Sequence, residues 1–324
     1  MTRASRLGPF LPAILPLLQS STPVWASRSV FASTSILPSL GSFNQFSNFS
    51  SSAIMSTSGT MIESQAQRLQ NAFSPSALEA VREFWFRDLK EEDLVLPPMQ
   101  VAMRWFQRNE EFDQACLANF GEQLELMQST DVTVAEILKV AQPSSPLDWL
   151  SLVLLLDQFP RNVFRDDKAR IVFTVTDPKA LELALQAVEV GIPEQSQIRF
   201  RLGYRFWFYL PLEHSEDPRM QVMCLEAHKK MVSEIGGLAA ESESDLHDDD
   251  TRKCHAILSA NKQTVDGWAG QLMKVVHQHK DLIDKFGRYP HRNEALGREP
   301  TAEETKYLAE GGETFGGGKK VESE

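Results

Sequence analysis

The chain has 324 residues, a formal charge of −11 and three cysteines. With 44 acidic against 33 basic residues, it lacks the clustered Lys and Arg that grip a phosphate backbone, so nucleic acid is not an expected partner. Cys116, Cys224 and Cys254 are odd in number and have no metal-ligand spacing, which suits a reduced compartment better than a disulfide framework and assigns no metal.

Charge is unevenly placed. No Asp, Glu or Lys precedes Glu63, whereas Arg3, Arg6 and Arg28 stand among many Ser, Thr and Pro. Residues 1–60 therefore read as a targeting segment of the mitochondrial type, which is Arg- and Ser-rich and poor in acid. A start at Met55 or Met61 would give a cytosolic form without it. The apolar stretch Leu7 to Leu18 carries three prolines and is about half the length of a membrane span. It could serve as a secretory h-region with cleavage near Ala26, but the odd thiol count favours the mitochondrial route.

Residues 74–315 are long enough for one domain with a sizeable core. Ser74-Pro75 offers an N-cap and a first-turn proline, after which Leu78, Val81, Trp85 and Leu89 share a helical face. Leu147 to Leu156 reads as apolar all round, and so as the enclosed central helix. Pro160 disfavours helical geometry at Phe159 and should stop that helix, leaving Arg161 and Asn162 at its carbonyl end.

Asp177-Pro178 begins another helix, with Leu181, Ala184, Leu185 and Val188 inward and Gly191 as its stop. Phe200, Tyr204 and Trp207 form an aromatic stripe that reads as packed core. Asp217-Pro218 opens a helix ended by Gly236-Gly237. Glu241 to Asp250 holds six carboxylates and should be a mobile acidic loop within residues 238–252. Trp268, Leu272, Val275, His279, Leu282 and Phe286 keep helical spacing, which turns His279 inward. Thr301 with Glu304 is a capping box. Residues 316–324 read as a disordered tail. Period-2 alternation is absent, so the body is expected to be all-α.

Three polar signatures follow helical apolar runs: DQFPRN at Asp157 to Asn162, PLEHSED at Pro211 to Asp217, and FGRYPHRN at Phe286 to Asn293. Asp157 ends an apolar run, and a buried carboxylate needs a cation, for which the planar fork of Arg161 is apt. Asp217 is expected to be used as a helix cap, which leaves Glu213, His214 and Glu216 as site candidates. Arg288, His291, Arg292 and Arg298 bring a local positive excess that suggests pairing with the acidic signature.

These strings, with LGRE after the third, FWF at Phe84 to Phe86 and RWF followed by Phe112-Asp113, resemble the "domain of unknown function 924" family over about Ala77 to Phe315. The resemblance implies a tetratricopeptide-like α-solenoid or bundle of antiparallel helices. It assigns no activity and no cofactor. The N-terminal segment and the acidic loop depart from it, as eukaryotic additions would.

The positions carried over from the resemblance are Asp157, Arg161, Asn162, Glu213, His214, Ser215, Glu216, His279, Arg288, His291, Arg292 and Asn293. They allow three readings. One is a closed ion-pair network that locks helix ends together. Another is a pocket in which Arg161, Arg288 and Arg292 grip the carboxylate or phosphate of a peptide, a protein or a small anionic ligand. The last is a hydrolase-type enzyme, in which His214, His279 and His291 with Glu213 or Glu216 would bind a metal, or His214 would act as a metal-free base. No H-E-x-x-H, nucleophile elbow or Gly-rich phosphate loop supports the enzyme. Binding of a ligand or partner is therefore the expected function. An open, incompletely satisfied set of side chains would separate it from a closed network.

Overall fold

In a computed structural model, residues 65–316 are described, and among them every regular element is helical. The all-α expectation holds. The presequence, the start positions Met55 and Met61, and nearly all of the tail lie outside the described residues.

Helix α1, Pro75–Trp85, begins as its sequence dictates: the Ser74 side chain accepts from the Ala77 N–H, and Leu78, Val81 and Trp85 are buried. Leu89, expected on the same face, lies beyond the helix end. α2, Glu110–Gln128, starts at Asn109, and α3, Pro146–Val153, starts at a Ser145–Asp148 capping box. α1 packs on α3. Leu150, Leu152, Val153, Leu154, Leu155 and Leu156 are wholly buried, so this segment is the enclosed element expected. It is not apolar all round. Arg82 Nη1 donates to Asp148 Oδ1 at 3.2 Å and to Ser151 Oγ at 2.9 Å, which satisfies both polar groups against α1.

Pro160 does not stop the helix. The chain passes from α3 through a π-helical turn, Leu154–Gln158, into α4, Phe159–Val163. The Phe159 N–H bonds back to the Leu154 carbonyl, five residues earlier. A proline breaks an α-helix because it lacks a donor and its ring meets the carbonyl four residues back. A wider turn immediately before it moves that carbonyl off the ring, and the helix continues. α4 packs on α2.

Pro178 repeats the device. A short helix Ala169–Ile171 leads into a second π-helical turn, Val172–Thr176, and then into α5, Asp177–Glu189. Asp177-Pro178 thus begins α5 as expected, but the π-helical turn runs straight into it, so the Asp177 carboxylate caps no free helix end and is available to other partners. The face of α5 turned inward is Ala180, Leu183, Ala184 and Ala187, with Leu181, Leu185 and Val188 half-buried beside it. Gly191, at φ +73°, ends the run as expected.

The aromatic segment forms short turns rather than one helical stripe. Phe206, Trp207 and Phe208 are buried, and Trp207 meets Trp85 and Trp105 edge-on at 5.4 and 5.3 Å. Phe200 and Tyr204 are half-buried against the same core. α6, Leu210–Glu213, precedes α7, Pro218–Ala240, which Asp217 caps as expected. Gly236-Gly237 does not end α7. Leu238 and Ala239 beyond them are buried, and that packing outweighs a propensity cost of about 1 kcal/mol per glycine.

The acidic loop is consequently shorter than residues 238–252. Asp248 accepts from the Thr251 N–H at 2.8 Å, and Asp249 and Asp250 open α8, Asp249–Ala260, where negative charge suits a helix N-terminus. α9, Lys262–Phe286, lies along α7 and buries Val265, Trp268, Val276, His279, Leu282 and Ile283. α10, Ala302–Ala309, carries the expected Thr301–Glu304 capping box. Besides the main core, Leu282, Ile283 and Tyr289 form a small cluster covered by Phe286, Tyr307 and Phe315. No described helix is long and apolar enough to cross a membrane.

Candidate functional site

The two π-helical turns converge on one arginine. Asp157 lies inside the first turn, and Asp177 directly follows the second. Arg161 Nη2 donates to Asp157 Oδ1 at 3.2 Å and to Asp177 Oδ1 at 2.5 Å. Asp157 is 1% exposed, and it also accepts from Gln158 Nε2 on Oδ2 and from His214 Nδ1 on Oδ1, at 2.5 and 2.7 Å. Burial opposes its ionisation. The His214 and Arg161 contacts outweigh that cost and hold the carboxyl well below its ordinary range.

An ionised carboxylate only accepts hydrogen bonds, so His214 Nδ1 carries the proton and Nε2 is left with a lone pair. Burial, then the Arg161 cation, lowers the His214 imidazole below its usual range, and Asp157 offsets part of this. The ring is neutral at pH 7.

His214, Arg161, His279, Tyr289, His291, Arg292, Phe164, Phe173 and Phe315 line a cavity of about 140 Å³ beside these helices. Arg292 is 6% exposed. Its guanidinium lies between the rings of Phe173 and Tyr289, at 4.6 Å from each centroid. Its Nε has no hydrogen-bond partner among the described residues, and its contact with Asp177 Oδ2 is loose at 3.6 Å. Asp177 Oδ2, Arg161 Nε and His291 Nδ1 are likewise buried without a hydrogen bond. Burial first, then the Arg292 and Arg161 cations, pushes His291 down to about 3.

His279 sits on α9 facing inward, as its spacing predicts. Its Nδ1 donates to the Val275 carbonyl at 3.0 Å and stands 3.1 Å from Glu213 Oε1. Phe315 stacks on it with ring centroids 3.5 Å apart. Glu213 is buried behind this layer, and burial, with repulsion from Asp157, pushes its carboxyl up to about 8. The segment carrying Phe315 is anchored at Gly312. A Cβ there would lie 2.3 Å from the Tyr307 ring, and the Tyr307 hydroxyl accepts from the Glu313 N–H at 2.7 Å.

Of the twelve residues singled out in the sequence, Arg161, His214, His279, His291 and Arg292 line the cavity, with Asp157 and Glu213 directly behind. The other five are used elsewhere. Arg288 does not grip a ligand, because Glu304 holds it through two bonds of 2.7 and 2.8 Å, and Asn293 joins the same carboxylate at 3.2 Å. Glu216 binds Arg298 and the Tyr289 N–H. Asn162 bridges Arg165 and the Gln158 carbonyl, and Ser215 Oγ accepts from the Asp217 N–H. Sequence reasoning missed Asp177, Phe173, Tyr289 and Phe315. Only Tyr289 carried a signal, as part of the third signature.

The three-histidine metal set is not assembled: Glu216 is taken by Arg298, and His214, His279 and His291 with Glu213 or Glu216 are not among the described residues whose ligand atoms lie within 4.8 Å of one another. Among the described residues, metal-ligand spacing occurs instead at Glu213, Cys224 and His228, all buried. There His228 Nδ1 lies 3.0 Å from the Cys224 carbonyl and Cys224 Sγ 3.6 Å from the Tyr209 carbonyl, while His228 Nε2 is buried without a hydrogen-bond partner among the described residues.

An all-helical fold with a small cavity walled by guanidinium, imidazole and aromatic groups defines the class of protein. The chain belongs to the family described as bacterial protein of unknown function (DUF924), whose profile matches residues 81–312. A solved protein of unknown function from Agrobacterium tumefaciens is similar over 72% of this chain and 98% of its own, at 23% identity and a TM-score of 0.47. No curated protein matches significantly.

Proposed function

We propose that this protein binds a small organic acid, with Arg292 as the group that holds the carboxylate. The observation that supports this is a buried guanidinium on a cavity wall with its hydrogen-bonding capacity largely unused. A buried polar group without a partner costs about 1–3 kcal/mol, more when charged, so such a group is retained where something else satisfies it. A carboxylate does so through two parallel hydrogen bonds.

Size and lining narrow the ligand. The cavity of about 140 Å³ is close to the roughly 150 Å³ of an engineered site that holds benzene. Phe164, Phe173 and Phe315 supply apolar and aromatic surface, so the acid should carry an apolar body of about that bulk. A space of this size takes a small molecule or one terminal side chain, not an extended peptide. The unpartnered atoms of Asp177, Arg161 and His291 count against a closed structural network.

Benzoate tests the reading. At a hundredfold excess over its dissociation constant it should stabilise the protein by about 2.7 kcal/mol, read as a rise in melting temperature. Arg292→Leu should abolish that rise. An equal rise in parent and variant would defeat the assignment.

A further inference from the structure

Holding an acid requires Arg292 but does not require His214. That imidazole is nonetheless fixed by a carboxylate on one nitrogen, kept neutral by burial and Arg161, and set on the same cavity wall. With Nδ1 donating to Asp157, the nitrogen left for the cavity is Nε2, a free proton acceptor. This is how a general base is prepared: one nitrogen oriented by a carboxylate, the other facing the reacting groups.

Charge balance indicates what the base acts on. Arg161 and Arg292 face Asp157 and Asp177, two cations against two anions. Arg165 is paired with Asp113, and Arg108 with Asp166. A reaction suited to this wall creates one negative and one positive charge together. Proton transfer from water to His214, with attack on a neutral carbonyl, does that: an oxyanion forms beside Arg292 as an imidazolium forms beside Asp157.

We propose that the cavity hydrolyses small carboxylic esters, with His214 as general base, Asp157 as its positioning residue and Arg292 as the cation that meets the oxyanion. The proposal rests on the acid-binding reading, the bound acid being the product. His214 Nε2 takes a proton from water as the water oxygen bonds to the acyl carbon and the carbonyl π pair moves to oxygen. The tetrahedral species then collapses, the bond to the alkoxy oxygen breaks, and the His214 proton passes to the departing alkoxide. The carboxylic acid gives its proton to solvent and remains as carboxylate against Arg292. Interactions made only with the developing charges raise the rate without tightening the ester. The cavity volume limits the acyl group to about the bulk of a benzoyl ring and leaves the alcohol at the mouth.

The experiment uses the full chain, with benzoate as binding probe and 4-nitrophenyl benzoate as ester. The parent should release 4-nitrophenolate well above the buffer rate. His214→Gln should lower kcat/KM by on the order of 10²–10⁴-fold while still being stabilised by benzoate. The parent's rate should be flat with pH above the ordinary imidazole range, because His214 titrates below it. As a check independent of any variant, diethyl pyrocarbonate should modify His214 in the parent, benzoate should protect it, and activity should fall in step with modification. Benzoate binding without ester hydrolysis, a His214→Gln rate equal to the parent's, or an unreactive His214 would overturn the proposal and leave acid binding intact. If benzoate fails to stabilise the parent, both readings fall.

Discussion

Asp157 and Glu213 are both buried carboxyls, yet their surroundings drive them in opposite directions. Asp157 has cations and donors around it and stays ionised. Glu213 has few, and burial pushes it up from 4.5 to about 8, so it is held as the neutral acid at pH 7. The folded protein thus keeps a proton that the unfolded chain gives up. Stability from this group is complete below about pH 4.5 and is lost as pH rises through about 8, at about 1.4 kcal/mol per pH unit within that window. Glu213→Gln, neutral at every pH, should match the parent near pH 5 and become increasingly more stable than it toward pH 8 in urea unfolding. A constant gap across that range would show the carboxyl to be ionised. At this scale the sequence was informative about need but not about partners. Asp157 at the end of an apolar run demanded a cation, and Arg161 four residues on was in reach. That Asp177 would share Arg161 depends on how two distant segments meet, which no local pattern encodes.

At the scale of elements, the chain at Pro160 and at Pro178 is shaped by one cause. Pro160 and Pro178 each look like a boundary because a proline is incompatible with the α-helical carbonyl four residues before it. Each follows a π-helical turn that removes the conflict. Such turns leave no periodic signature in five residues, whereas caps such as Ser74, Asp217 and Thr301 are side-chain chemistry and were legible. The turns matter to the site, because an extra residue in the turn rotates everything after it about the helix axis. Widened turns of this kind recur at functional sites. Pro160→Ala restores a donor and lets the turn relax toward α-helical pitch, which would swing Asp157 away from His214. Helical content by circular dichroism should hardly change, while the benzoate-induced rise in melting temperature should fall several-fold. An unchanged response would mean that the turn persists without the proline.

For the molecule as a whole, class and family were legible because caps, Gly stops and three long motifs are distributed along the chain, while function was not, because the cavity combines residues from segments far apart in the sequence. Targeting is a whole-chain property resting on residues 1–60 alone, and we propose that this segment directs the protein to mitochondria. A fluorescent reporter carrying residues 1–60 should enter them, and a chain begun at Met55 should stay in the cytosol. Entry of the long fusion into the secretory route would show the Arg- and Ser-rich segment to be a signal peptide instead.

The stacked Phe315 ring has a consequence for time as well as for affinity. It covers His279 from a segment pinned at Gly312 by the Tyr307 ring and forms one wall of the cavity, so lifting of that short segment would widen the way out for a ligand between Arg292 and His214. Residence time would then depend on the strap as well as on the grip of the guanidinium. Phe315→Ala, which removes apolar lining together with the strap's cover, should speed dissociation of benzoate in stopped-flow measurements and weaken its binding. Gly312→Ala, which forces the strap off Tyr307, should speed association and dissociation alike from outside the cavity, placing control of the lifetime in a residue that does not line it.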